Sequence, residues 1–550
     1  MSQPSRLFPT PFDYDYIQPL TLVELRMAYY SGKIRAKPLW WEKIRDSAMI
    51  DHDRATHDGF WGGERRSDES DKEGRAKKWP RDPLSDGQIE YIFDELVYEA
   101  SVREKTTGIF ASAIKKAYES QSLIDGALKA QLVKAASAFE NVPDDEKDWH
   151  PGSDNQVLDL VHPSLYPICI GHTLFRSSPG PQGADPVLTL LDIDKYRQAR
   201  PDLGRGVHKN TFSDSYQWLP TDFAVSAAGE VAALGYINNA HPSRHHALTR
   251  RHRVLSDVLS APREAPSQLP YEWYAGLDAE SPTWDPEAPD RYEQWEHEHK
   301  WPRIPDPAPF TAPSTGRRVE LSLKGRTVQV IVKLAGIHLT PEKPAYPGGA
   351  WHVEGMLNER VVATGLYYYA TENVTESRLA FRQRVGNGDA GLDLPYEQDD
   401  HRGYRAAYGL GRDEPLNQVL GHVVAAEDKC VVFPNVYQHR VDAFELADKT
   451  RAGHRKILAL FLVDPHARVL STTDVPPQQR DWAMSEAEKS PDLQSLPQEL
   501  FDMIAGFAED GMMSREEAQE HREKLMEERS AFVDTQNEGW FEEDFSMCEH

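Results

Sequence analysis

From Arg326 the chain alternates apolar and polar side chains, RTVQVIVKL through Leu334, and only extended backbone can place such a two-residue period on two opposite faces. Three more runs of the same texture follow: VVATGLYYYA at 361–370, CVVFP at 430–434 and KILALFLVDP at 456–465. Each is too short to fold alone, and each carries an apolar face that another strand must cover. The spacing predicts an antiparallel sandwich or barrel over residues 317–475. Residues 384–429, rich in glycine and charge, break the pattern and read as an insertion.

The flanks have a different period. Residues 1–150 read as mainly helical beyond an exposed, charged segment at 51–82. In SDGQIEYIFDELVYEASV, Ile89, Ile92, Phe93, Leu96 and Val97 fall on one helical face. An alanine- and lysine-rich pattern predicts a second helix from Thr107 to Glu140. Residues 151–316 form a mixed region with strand-like SDSYQWLPTDFAVS and a long surface excursion at 261–313, dense in proline and acid. Residues 476–550 return to helix and are acidic. The sum predicts an α+β protein.

Composition removes several functions. Lysine and arginine number 62 against 88 acids, a formal charge of −26, which repels phosphate backbones and anionic membrane surfaces. Three scattered cysteines, Cys169, Cys430 and Cys548, make neither a disulfide framework nor a zinc knuckle and suit a reducing compartment. The opening residues lack a signal peptide's apolar region, and no run approaches eighteen apolar residues, so no membrane span is expected and the location expected is cytoplasmic. No GxGxxG, GxxxxGK[ST] or GxSxG occurs, which leaves nucleotide-fold and serine-hydrolase readings without support.

The chemistry concentrates around PGGAWHVEG. On extended chain His352 and Glu354 share a face and can reach one metal ion. The triplet alone means little, because 21 histidines among this many acids give about three such triplets by chance. Another, His521-Arg522-Glu523, lies on a helical pattern and reads as solvated surface. Context raises the first: after Glu354 a strand-like CVVFPN leads to His439, and then Gly453-His454-Arg455 opens the last apolar strand. Two imidazoles and one carboxylate make the facial triad of non-haem Fe(II) oxygenases, with three positions left open. His297-Glu298-His299, His245, His246 and His252 read as surface, Asn238 and Asn239 with His241 as a turn, and Cys430 as a small core residue.

In their order and strand context, His352, Glu354, His439 and Arg455 resemble the Fe(II)- and 2-oxoglutarate-dependent oxygenase superfamily. VIVKLAGIHLTPEKPAYPGGAWHVEG, YINNAHP and QWLP resemble a fungal family of unknown function. The resemblance implies a double-stranded β-helix core of the jelly-roll or cupin-like kind with helical flanks. It implies Fe(II) as cofactor, held by His352, Glu354 and His439, with O2 and 2-oxoglutarate as cosubstrates and succinate and CO2 as coproducts. Arg455 then anchors the 2-oxoglutarate carboxylate, with Arg451 as the alternative and Lys456 facing away, and Tyr367 adds a hydroxyl donor. The substrate expected is a small organic or amino-acid-like molecule, with no nucleic-acid or membrane partner. A scaffold that has lost turnover, a protein hydroxylase and a cupin-like metal enzyme without 2-oxoglutarate are the alternatives.

Overall fold

The computed structural model describes residues 8, 11, 19–45, 84–176, 187–203, 209–240, 308–312, 322–386, 402–508 and 511–546. His241, His245, His246, His252, the His297–His299 triplet, the 51–82 segment and all of the 261–313 excursion except 308–312 lie outside the described residues.

Helix α1 (Leu22–Arg35) and helix α2 (Asp86–Val102) each begin at a capping box, Thr21 with Glu24 and Ser85 with Gln88. Ile92, Phe93 and Leu96 bury the inner face of α2 against Met27, Tyr30 and Trp40, whereas Val97, expected on that face, is 44% exposed. The helix expected from Thr107 to Glu140 is shorter. Phe110–Ala111 (β1) and Tyr118–Ser120 (β2) form a hairpin, and helix α3 runs only over Gly126–Glu140, where the Asp125 carboxylate accepts from the Leu128 N–H at 2.8 Å. Gly108 and Lys116 adopt left-handed φ values, which the alanine-rich composition did not signal and which no helix tolerates.

The strands that follow are β3 (Val157–Val161), β4 (Thr221–Val225), β5 (Val231–Ala233), β6 (Arg326–Leu339), β7 (Ala345–Tyr346) and β8 (Val361–Glu372). Next are β9 (Arg378–Arg384), helix α4 (Arg402–Tyr408), β10 (Asn417–Val424), β11 (Cys430–Pro434), β12 (Gln438–Val441), β13 (Phe444–Glu445) and β14 (Gly453–Val463). Helices α5 (Arg480–Lys489) and α6 (Arg515–Gln536) follow the strands. The stretch 384–429 is therefore not a plain insertion, since α4 and β10 lie within it.

Among the described residues all pairings are antiparallel apart from one isolated bridge. The large sheet runs β1-β2-β11-β8-β14-β6-β4-β5, with β3 also on β6; a smaller sheet runs β10-β9-β12, and β7 pairs β13. The two main sheets pack face to face. Leu379, Phe381, Leu420 and Val423 of the smaller one share a buried cluster with Ile331, Leu366, Tyr368, Val431, Phe433, Ala459 and Phe461 of the larger. This is an open α+β arrangement of antiparallel sheets rather than a closed barrel. Among the described residues no helix is long and apolar enough to cross a membrane.

Candidate metal centre

The segment PGGAWHVEG lies along the edge of the smaller sheet. Gly348 has φ +97°, and a Cβ there would sit 3.0 Å from the Val441 carbonyl oxygen and 3.2 Å from the Ala443 nitrogen, so only glycine lets the loop approach β12 this closely. The Gly349 N–H donates to Val441 O at 2.9 Å. His352 and His439 then exchange two backbone hydrogen bonds of 3.2 and 2.9 Å, which bring the rings to 4.4 Å between centroids. Gly355, at φ +70°, turns the chain away after Glu354. Between the two ligand candidates Val353 points the other way, against Met356 and Phe532 of α6.

One carboxylate oxygen faces both imidazoles. Glu354 Oε1 lies 3.3 Å from His439 Nε2 and 3.7 Å from His352 Nε2. Because a carbonyl can only accept, the 2.8 Å contact of His352 Nδ1 with Ala350 O assigns the proton to Nδ1 and leaves the Nε2 lone pair directed inward. His439 is buried against Phe433 at 4.8 Å and Phe381 at 6.4 Å. Burial opposes the ionisation of Glu354, but hydrogen bonding and charge from both histidines outweigh it and hold the carboxyl well below its usual range. His352 also has burial against it, yet Glu354 raises it; His439 is lowered by burial and then by His352.

One donor atom from each of His352, Glu354 and His439 lies within 4.8 Å of the others. Metal–ligand bonds of about 2.1 Å set donors roughly 3.0 to 3.4 Å apart in octahedral or tetrahedral geometry, so the observed spacings need only small side-chain shifts. Two neutral imidazoles and an ionised carboxylate suit iron, zinc, nickel or copper.

Arg455 opens β14 and is 2% exposed. It faces the same side as Ile457, Ala459 and Phe461, between Ile337 of β6 and Thr371 of β8. Its guanidinium donates to Ser377 Oγ at 2.5 Å and lies over the Tyr368 and Phe444 rings at 5.3 and 5.4 Å. Among the described residues no carboxylate pairs with it, its Nε has no partner, and burial lowers its pKa. Arg451, the alternative anchor, is 66% exposed and bound to Asp448 at 3.2 Å, while Lys456 turns outward to Glu140 at 2.8 Å.

The expectation for Tyr367 is corrected by register. Tyr367 packs with Leu132, Leu334 and Cys430 on the opposite face, and its hydroxyl bonds Asp428 at 3.1 Å; Tyr368 is the tyrosine beside Arg455. Two further corrections concern polar side chains. Within the His521–Glu523 triplet Arg522 is buried and binds Asp148 at 2.7 Å and His521 is half-buried, whereas Glu523 is exposed as expected. Asn435, which sequence reasoning passed over, accepts from Glu354 N–H at 2.8 Å and donates to the Glu354 and Val361 carbonyls at 2.7 and 3.0 Å. Only an asparagine directly after a strand hinted at it.

An α+β chain with antiparallel sheets and a His–Glu–His group competent to hold a metal is the class defined by fold and site. The chain belongs to the family described as "Protein of unknown function (DUF4246)", whose model matches residues 86–486. No curated protein matches it. Solved structures similar to it include the Fe(II)/(alpha)ketoglutarate-dependent dioxygenase TqaL, at 11% identity and TM-score 0.19 over 46% of this chain and 70% of that one. IDO from Bacillus thuringiensis is similar at 9% identity and TM-score 0.16 over 25% of this chain and 46% of that one. A bsmA homolog from Methylobium petroleophilum PM1 has the same identity and TM-score, over 25% and 42%. The chain spans less than half the length of the last two.

Proposed function

We propose that the chain is a non-haem Fe(II)- and 2-oxoglutarate-dependent oxygenase acting on a small organic or amino-acid-like substrate. One observation carries the reading: a buried guanidinium with no carboxylate partner among the described residues lies on the side of its strand that faces the cluster of Phe381 and Phe433, the rings packed against His439. A buried cation without a counter-ion is costly, and a ligand carboxylate relieves that cost.

In this reading the strand orders β11-β8-β14-β6 and β10-β9-β12, the latter extended by the His352–His439 bridge, are the two faces of a double-stranded β-helix. His352, Glu354 and His439 would hold Fe(II), and a set of only three protein donors would leave the ion open to oxo-acid and dioxygen. When bound, the iron supplies dioxygen activation coupled to conversion of 2-oxoglutarate to succinate and CO2. Arg455 holds the distal carboxylate through two parallel N–H···O bonds, and Ser377 fixes the guanidinium's orientation. Phe381 and Phe433 exclude water beside His439, and the partly exposed His352 marks the side open to substrate.

The test is succinate release from iron-loaded protein given 2-oxoglutarate and oxygen. The wild type is expected to turn over 2-oxoglutarate slowly without substrate, and alanine at 352, 354 or 439 to abolish it. Arg455→Lys keeps charge but loses the planar fork, so it should bind 2-oxoglutarate more weakly than wild type and more tightly than Arg455→Ala. Full activity in any of the three alanine variants would overturn the site.

A further inference from the structure

A second set of ligating side chains shares no member with His352, Glu354 and His439. Strand β3 runs antiparallel to β6, with Asp159 opposite Ala335. The chain before β3 folds back on it through the Trp149–Leu158 bridge and a 2.8 Å bond from the His150 N–H to Val157 O, which brings His150 beside Asp159. His162 follows β3 at once, its carbonyl held by Asn239 Nδ2 at 2.8 Å. His150 Nδ1 is 2.7 Å from Asp159 Oδ2, the two imidazole rings are 5.2 Å apart, and one donor atom from each of the three residues lies within 4.8 Å of the others.

The Asp159 side chain is wholly buried, and its second oxygen, Oδ1, has no hydrogen-bond partner among the described residues. A buried carboxylate oxygen without a donor is costly, and a cation at that position removes the cost. We propose that His150, Asp159 and His162 form a second divalent-metal site, of the borderline class that zinc represents, separate from the oxygenase centre. Two imidazoles and one carboxylate supply three of four tetrahedral positions, and His150, 25% exposed, gives the ion its entry.

Burial pushes His162 down to about 3 despite the nearby Asp159. Burial opposes the ionisation of Asp159, but His162, His150 and Lys333 outweigh it. Two contacts oppose the ion. Arg522 is already committed to Asp148 at 2.7 Å, but the Lys333 charge reduces affinity. His162 Nδ1 accepts the Ser164 N–H at 3.2 Å: ligation through Nδ1 replaces that contact, and ligation through Nε2 moves the ring proton to Nδ1 and opens it.

The test titrates chelator-stripped, full-length protein with Zn2+ by calorimetry and measures the zinc retained after dialysis. His352→Ala/Glu354→Ala is expected to keep one equivalent. That equivalent should be lost, or bound at least tenfold more weakly, when Asp159→Asn or His150→Ala is added. His150→Ala, at a partly exposed position, serves if Asp159→Asn does not fold. No zinc in the double variant, or unchanged affinity after replacing His150 or Asp159, overturns the proposal and leaves a hydrogen-bonded His–Asp pair. A wild type that holds one equivalent, kept in the double variant and lost in Asp159→Asn, supports this site while contradicting the His352 centre.

Discussion

Three hydrogen bonds from the Asn435 side chain hold the backbone on which Glu354 sits, and one of them ties it to Val361 at the start of β8. Alanine at 435 removes all three without touching a donor to the metal, so it loosens the ligand rather than deleting it. Changes of this kind cost about 10–100-fold in metal affinity, and Asn435→Ala is expected to weaken Fe(II) binding within that range. Equilibrium dialysis against a competing chelator measures it, and wild-type affinity would show that Gly355 and Gly348 suffice. At this scale the sequence singled out His352, Glu354 and His439, whose donor atoms lie within 4.8 Å of one another, through the strand context of the later histidine rather than through the triplet alone. It was silent about Asn435 and the His150–Asp159–His162 group, whose members approach one another only through β3 and the turn before it.

Strand alternation decides which side chains reach the centre. On β14 it sends Arg455, Ile457, Ala459 and Phe461 inward and Lys456 out to Glu140, as the sequence pattern led one to expect. On β8 the same rule requires an absolute register, and three consecutive tyrosines do not supply one. Pairing with β14 and β11 puts Tyr368 inward and Tyr367 against α3. The strand at 417–424 was hidden for a related reason, since Asn417 and Gly421 dilute its apolar face and a helix precedes it. Helix α6 braces the ligand loop from outside: Arg529 binds the buried carboxylate of Glu359, which also accepts from the Trp218 and Met356 N–H groups at 2.6 and 2.7 Å, and it stacks 3.7 Å over the Trp218 ring. Arg529→Ala strips a buried charge of its counter-ion and is expected to cost about 3 kcal/mol in urea unfolding, whereas a loss under about 1 kcal/mol would mean the two N–H donors carry Glu359 alone.

Across the whole molecule the formal charge is −26, and buried histidines contribute to the response to acid. Burial, with the Lys456 and His454 charges, pushes His338 down to about 4. The unfolded chain takes up that proton near pH 6.5, so between 6.5 and about 4 it binds a proton that the folded chain does not, and stability falls with pH by up to about 2 kcal/mol. His454 is shifted in the same direction, again chiefly by burial. Urea midpoints at pH 7 and 4.5 should drop less in His338→Gln than in wild type; equal drops would exclude His338 as a source. The family match and the fold leave the chemistry to the centre itself, and the decisive measurement is an anaerobic titration of Fe(II)-loaded protein with 2-oxoglutarate, followed by the metal-to-ligand charge-transfer band. A saturable band at one 2-oxoglutarate per iron is expected, absent in Glu354→Ala and weakened in Arg455→Ala; iron bound by His352, Glu354 and His439 that gives no band at any 2-oxoglutarate concentration would contradict the oxygenase reading.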